Sequence, residues 1–229
     1  MIDYRHPLPL PRFHHVKGRP GWLRWKLASF PGKTFAFRGA SYRYFGHVYN
    51  HTWKNERAVE IPVATRLLRT AIASGQRVLE VGNVLSHYMP VGHEVIDKYE
   101  SAPGVLNQDI VEFRPDVRYD LVLSVSTLEH VGQDETPARP GKAIEAVHHI
   151  VSLLAHGGSA FVTIPVGHNR TLDAQVLGSA PPFTETYFLK RISPANDWLE
   201  VDRDAVRGCE YGHPYPYANA LVIGYAHRR

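Results

Sequence analysis

Hydrophobic positions change their period along this chain. Before residue 58 no period holds, because Gly18, Pro20, Gly21, Pro31, Gly32, Gly39 and Gly46 break the chain every few residues. From Ala58 onward, Ile61, Thr65, Leu68 and Ile72 recur at helical spacing, with Pro62 tolerable in a first turn and Gly75 as the stop. Short apolar runs then predict strands at 77–82, 94–97, 105–107, 120–125 and 159–165, and a last one at 218–226. The run at 120–125 is apolar on both faces, as in a buried parallel sheet. Between it and the next strand a helix is predicted at 141–155, with Ile144, Val147, Val151 and Leu154 as its buried stripe and Gly157 as its end. Strands alternating with helices predict an α/β sheet, whose ligands bind at the carboxyl ends of the strands.

Composition narrows this picture. The chain has 229 residues, 44% hydrophobic and 21% charged, enough for a substantial core in a folded domain. A lone cysteine, Cys209, excludes an internal disulfide and a multi-cysteine zinc site, and a cytoplasmic location is expected. The first residues contain Pro7, Pro9 and Pro11 and no apolar leader, while the most apolar stretch, 147–166, is interrupted by histidines and a Gly-Gly pair. No membrane span is expected. Charge divides the chain unevenly: residues 1–57 hold 11 Lys and Arg against 2 Asp and Glu, and the remainder holds 15 against 20. The first part also carries 12 of the 25 Phe, Trp and Tyr. Two segments are therefore expected, a basic aromatic N-terminal extension at 1–57 and an α/β domain at 58–229 with a lid insertion at 166–200.

The candidate chemistry lies just after the strands. Glu80 is in the last turn of the first strand, and Asp97 ends the second, where an acid is placed to accept both hydrogen bonds of a ribose diol. Asp109, after the third strand, is spaced to contact the base of the same nucleoside. A single Asp at a strand end is commonly a turn former or helix cap; three acids in register point to a nucleoside. His130 and His168 follow the fourth and fifth strands on the same edge, and a histidine there suits proton transfer near neutral pH. His148 and His149 have no partner at ligand spacing, so a structural or exposed role and no metal are expected. Cys209 has no nearby base in sequence, so no nucleophilic role is expected.

The order of these segments resembles the class I S-adenosylmethionine-dependent methyltransferases. The resemblance is carried by Val-Leu-Glu80-Val-Gly82, Val-Ile-Asp97, Asn107-Gln-Asp109-Ile110, the run Tyr119-Asp-Leu-Val-Leu-Ser124-Val-Ser-Thr-Leu-Glu129-His130-Val, and Gly157-Gly158 with its strand. It covers roughly residues 60–165 and extends to the C-terminal strands. It implies a Rossmann-like, seven-stranded, mostly parallel sheet with the last strand antiparallel. It also implies S-adenosylmethionine as cofactor, with Glu80, Gly82, Asn83, Asp97, Lys98, Asp109, Ile110 and Ser124 as its contacts and His130 and His168 as catalytic candidates. One loop departs from the family: Gly82-Asn-Val-Leu-Ser86 stands where Gly-x-Gly-x-Gly is usual. Either the loop takes a variant path with the Val84 side chain turned away, or the cofactor site is lost; the carboxylates in register favour the first. The activity implied is methyl transfer to a hydroxyl or amine of a small-molecule or glycan-type acceptor, phosphate-bearing ones included. The alternatives are an RNA methyltransferase using the basic segment, although no RNA-binding module is recognisable, and a non-catalytic binding protein of the same fold. The sequence does not set the oligomeric state.

Overall fold

The computed structural model describes residues 32–229. Most of the basic aromatic segment, residues 1–31, lies outside the described residues. The described chain opens with a hairpin, β1 (Thr34–Phe37) and β2 (Ala40–Arg43). Its two-residue turn uses Arg38 and Gly39, both at positive φ, the conformation that matches the twist of paired strands. A 3₁₀ turn at Tyr49–Lys54 leads into helix α1 (Arg57–Ala73).

Helix α1 buries Ile61, Thr65 and Leu68, as the spacing predicts, together with Ala58, Ala64 and Ala71, while Ile72 is half-buried. It starts early enough to place Pro62 beyond the first turn. The carbonyl of Ala58, which Pro62 cannot serve, accepts the N–H of Phe45 at 2.8 Å instead. The proline therefore makes a docking point for the hairpin segment without leaving a polar group unpaired.

The main sheet contains β3 (Val78–Val81), β4 (Glu94–Ile96), β5 (Val105–Leu106), β6 (Tyr119–Val125), β7 (Leu154–Pro165), β8 (Glu185–Arg191), β9 (Trp198–Val201) and β10 (Ala220–His227). Their spatial order is β5-β4-β3-β6-β7-β10-β8-β9. Strands β3 to β7 run parallel, and β10 is antiparallel to both β7 and β8. This is the Rossmann-like sheet with an antiparallel last strand that the resemblance implies, extended by one strand: β9 pairs antiparallel with β8, so the sheet has eight strands rather than seven.

Alternation along the strands divides the core into two layers. Leu121, Leu123 and Val125 of β6 pack with α1 and the hairpin residues Phe35 and Phe37. Val122, one residue out of phase, faces α2 (Lys142–Leu153) and α3 (Arg170–Val176) on the other side. The buried stripe of α2 is Ala143, Ala146, Val147, Ile150 and Leu153; Ile144 and Val151 of the expected stripe are half-buried. Of the two histidines expected to be structural or exposed, His149 is half-buried with Nε2 2.7 Å from the Phe113 carbonyl, and His148 is exposed. Strand β7 begins directly after α2, and Gly157 is a positive-φ point within the strand, donating to the Arg228 carbonyl, rather than a helix stop.

Of residues 166–200, expected as a lid insertion, Arg170–Val176 forms helix α3, while Glu185–Arg191 and Trp198–Val201 join the sheet as β8 and β9. Phe188 and Leu189 supply the reason, since each is buried on one face of β8 beside β10. Only a short 3₁₀ turn, Leu85–His87, separates β3 from β4, so that crossover has no full helix and leaves room above the strand ends. Among the described residues no helix is long and apolar enough to cross a membrane.

Candidate active site

The carboxyl ends of β3, β4 and β6 open onto a cavity of about 370 Å³, within the usual size of a small-molecule site. Its floor begins at Gly82, which has φ +88° and donates to the Ile96 carbonyl at 2.8 Å. A Cβ at this position would overlap the Thr127 side chain, so both the backbone conformation and the close approach of the loop after β6 require glycine. The chain beyond Gly82 winds around Glu80. The fully buried Glu80 carboxylate accepts the amides of Val84 at 3.0 Å and Leu85 at 2.7 Å through Oε1, and Oε2 lies 2.7 Å from His93 Nε2. The amides of Val84 and Leu85 are thus satisfied internally, and Val84 has φ −108°, a conformation that needs no glycine.

Asp97 organises the adjoining wall. Its Oδ2 accepts the Asn83 amide at 3.0 Å, and its Oδ1 accepts those of Tyr99 at 2.9 Å and Glu100 at 2.8 Å. Asn83 reaches on to Glu100 through its side-chain amide at 2.8 Å, and Glu100 Oε1 lies 2.9 Å from His87 Nε2. The His87 ring stacks on Tyr49 with centroids 4.4 Å apart, so the segment before α1 covers this side of the cavity together with Asn50 and Arg57.

A four-charge cluster closes the next wall. Asp109 Oδ2 receives Lys142 at 2.5 Å and Lys98 at 2.9 Å, and both lysines also reach Glu135, at 2.6 and 3.0 Å. Burial alone pushes the Asp109 carboxyl up, but the hydrogen bonds from Lys142 and Lys98 outweigh it and hold the group down at about 2. Asp109 Oδ1 accepts the Val111 amide at 3.0 Å. Ile110, buried, adds an apolar surface beside it.

Arg57 and His130 also line the cavity. Arg57 binds Glu60 at 2.9 Å and the carbonyls of Val125 at 2.9 Å and Ser126 at 3.3 Å, which ties the first turn of α1 to the end of β6. Glu60 also accepts the hydroxyls of Ser126 at 2.5 Å and Thr163 at 2.6 Å. His130 lies in a 3₁₀ turn after β6, with Nδ1 2.6 Å from Asp134 Oδ2. Its Nε2 has no partner closer than Glu129 Oε1 at 3.7 Å among the described residues. The ring of His168 meets that of His130 at 4.5 Å between centroids, and Tyr211 meets His168 at 5.2 Å. Burial lowers the His168 pKa, and the neighbouring His130 lowers it further.

The residues singled out from the sequence fall into three groups. Gly82, Asn83, Asp97, Lys98, Asp109, Ile110 and His130 line the cavity. His168 stands behind His130 rather than on the cavity wall. Glu80 and Ser124 are off the cavity: Glu80 is the internal latch of the loop, and buried Ser124 donates to the Val81 carbonyl at 3.2 Å, stitching β6 to β3. Asp134 and Glu135 reach the cavity without having been singled out; Asp134 had a legible signal, four residues after a strand-end histidine. Tyr49 and Arg57, from the end of the N-terminal extension, line the cavity too.

No family model matches the chain, and no curated protein matches it. Solved structures similar to it include the N-methyltransferase NodS from Bradyrhizobium japonicum in complex with S-adenosyl-L-homocysteine. The identity is 14%, with 72% of this chain and 84% of that one covered and a TM-score of 0.40. The sugar N-methyltransferase KedS8 from Streptoalloteichus is 15% identical over 86% of this chain and 98% of that one, with a TM-score of 0.38. The methyltransferase CcbJ from Streptomyces caelestis is 15% identical over 72% and 88%, with a TM-score of 0.37.

Proposed function

We propose that this chain is an S-adenosylmethionine-dependent methyltransferase acting on a hydroxyl or amine of a small-molecule or glycan-type acceptor, with His130 as the base. The observation that carries the reading is the His130–Asp134 pair on the wall of the cavity that Gly82 and Asp97 shape. An imidazole whose Nδ1 is held by a carboxylate has its tautomer set and its Nε2 free to take a proton.

The cavity fits the cofactor by the chemistry of its lining. The backbone at Gly82 admits a close approach, Asp97 presents a carboxylate beside it, and Ile110 and Val131 offer apolar surface for a flat ring. Asp97 uses three amides to hold the loop, and a carboxylate has about four acceptor positions, so one stays available to a ribose hydroxyl. Gly82, Asn83, Asp97 and Ile110 would hold the cofactor, with Lys98 and Asp109 fixing the far wall. When bound, the cofactor supplies a methyl group already activated by a sulfonium. The protein then has to exclude water, orient the acceptor atom and receive its proton at His130 Nε2. Tyr49, Asn50 and Arg57 serve the first task by covering the side left open by the short β3–β4 crossover.

Isothermal calorimetry with S-adenosylmethionine tests the reading. Binding in the micromolar range, weakened at least tenfold by Asp97→Ala, is expected; no heat and no thermal shift at millimolar cofactor would sink it.

A further inference from the structure

A second cavity, of about 460 Å³, lies between the hairpin, the later turns of α1 and the sheet. It shares no lining residue with the cavity at the strand ends. Its lining includes Leu121, near the start of β6, and the Ser159 of β7 that pairs with it. Two arginines also line it, Arg38 from the hairpin turn and Arg66 from α1, and no aspartate or glutamate does. Each guanidinium is laid on aromatic rings. Arg38 lies 4.6 and 4.4 Å from the ring centroids of Tyr187 and Tyr225, and Arg66 lies 5.5 Å from that of Tyr42. The Tyr42 ring stacks in turn on buried Phe35, with centroids 5.5 Å apart, so the platform under Arg66 is anchored in the core. Stacking restrains a guanidinium through its face and leaves its N–H donors, which lie in its plane, for an acceptor. Arg38 spends Nη2 on Glu185 at 2.7 Å, and Glu185 also accepts the Tyr187 hydroxyl at 2.6 Å. Arg66 has no ion pair among the described residues. Two guanidiniums against the one carboxylate they bind leave the cavity a surplus of positive charge. Leu67, Ala71 and Leu121 give it an apolar side.

We propose that this second cavity binds an oxyanion carried on an apolar body, a phosphate monoester or a carboxylate, with Arg38 and Arg66 as its recognition groups. The physical reason is the match of charge and shape. A guanidinium fork offers paired donors to two oxygens of one carboxylate or phosphate, and such charge-assisted bonds are the stronger class of hydrogen bond. Stacked arginines have already given up much of their rotamer freedom, so less is lost when the anion arrives. The apolar side made by Leu67, Ala71 and Leu121 covers the body of the ligand, which a bare inorganic ion lacks. The inference stands apart from the methyl-transfer reading, because no residue of the cofactor cavity takes part in it.

Calorimetric titration of the full chain with phenyl phosphate and with benzoate tests this, with benzyl alcohol and sodium chloride at equal ionic strength as controls. Saturable binding of at least one of the two anions is expected, and none of benzyl alcohol. The tighter of the two names the anionic group that the site takes. Arg66→Met should weaken that binding at least about tenfold, the loss of a charged hydrogen-bond donor, and Arg38→Met should weaken it as well. Arg66 is exposed and without an ion pair among the described residues, so its variant keeps the fold testable. Arg69→Met removes the same charge one turn along α1 from a residue outside the cavity lining, and should leave binding unchanged. Absent saturation with both anions, equal binding of benzyl alcohol, undiminished binding by Arg66→Met, or an equal loss in Arg69→Met would overturn the proposal.

Discussion

Asp173 reaches back from the first turn of α3 to accept the Gly167 amide at 2.8 Å, and so holds the turn that carries His168. Its other oxygen is buried without a partner among the described residues. Burial raises the carboxyl to about 6, opposed by the Gly167 hydrogen bond.

That shift has a defined sign in stability. The folded protein binds the Asp173 proton more tightly than the unfolded chain does, so this group adds stability as pH falls from 7 through about 6 toward the ordinary carboxylate range, and nothing further below it. Wild type is therefore expected to gain melting temperature between pH 7 and pH 5 relative to Asp173→Asn. Parallel thermal scans of the two proteins check this, and identical pH profiles would reject the assignment.

The junction of Gly82 with Thr127 predicts a large effect from a small change. Gly82→Ala must adopt a left-handed backbone, at about 1–2 kcal/mol, and must also displace the Thr127 side chain that its Cβ would overlap. Urea unfolding should show a lower midpoint with an unchanged slope. Adding Thr127→Ala is expected to recover only part of the loss, because the backbone cost remains.

Glu60 compensates a buried guanidinium that also reaches the cavity. Removing one partner of such a pair costs about 3–5 kcal/mol, so Glu60→Ala should be among the more destabilising single changes in α1. Because the same carboxylate receives the hydroxyls of Ser126 and Thr163, chemical denaturation of Glu60→Ala and Glu60→Gln should rank the alanine variant lower.

Lys142 keeps Asp109 ionised. With Lys142→Met, burial is opposed only by Lys98 and the Val111 amide, and the Asp109 carboxyl should rise from about 2 toward the ordinary range. In the wild type the lowered group contributes stability above the unfolded pKa, which is lost as pH falls from about 4 toward 2. Carbon-detected NMR titration of Asp109 in both proteins reads the change directly. An unmoved Asp109 in Lys142→Met would show that Lys98 and the Val111 amide suffice.

Asp97, Asp109 and His130 were legible in the sequence as residues of the cavity, because a residue just after a strand has little choice but to face the sheet's carboxyl edge. Glu80 and Ser124 were less so. They lie inside strands, where which side chains are consumed by neighbouring backbone depends on the path of loops from elsewhere. The lid expected at 166–200 was drawn from length alone, and length does not distinguish a loop from two more strands.

Local pattern by itself determined the α/β class, six of the eight strands of the main sheet, helix α1 and the set of residues at the strand ends, since each follows from periodicity within a dozen residues. Tertiary structure alone decided which of those residues meet. It joined Tyr49 to His87, Lys142 to Asp109 and His168 to His130, added β9 to the edge, and left Glu129 buried with one oxygen unpartnered among the described residues. These contacts join segments far apart in the chain. Their geometry is set by how strands stack in order and loops pack over them, which no local spacing encodes.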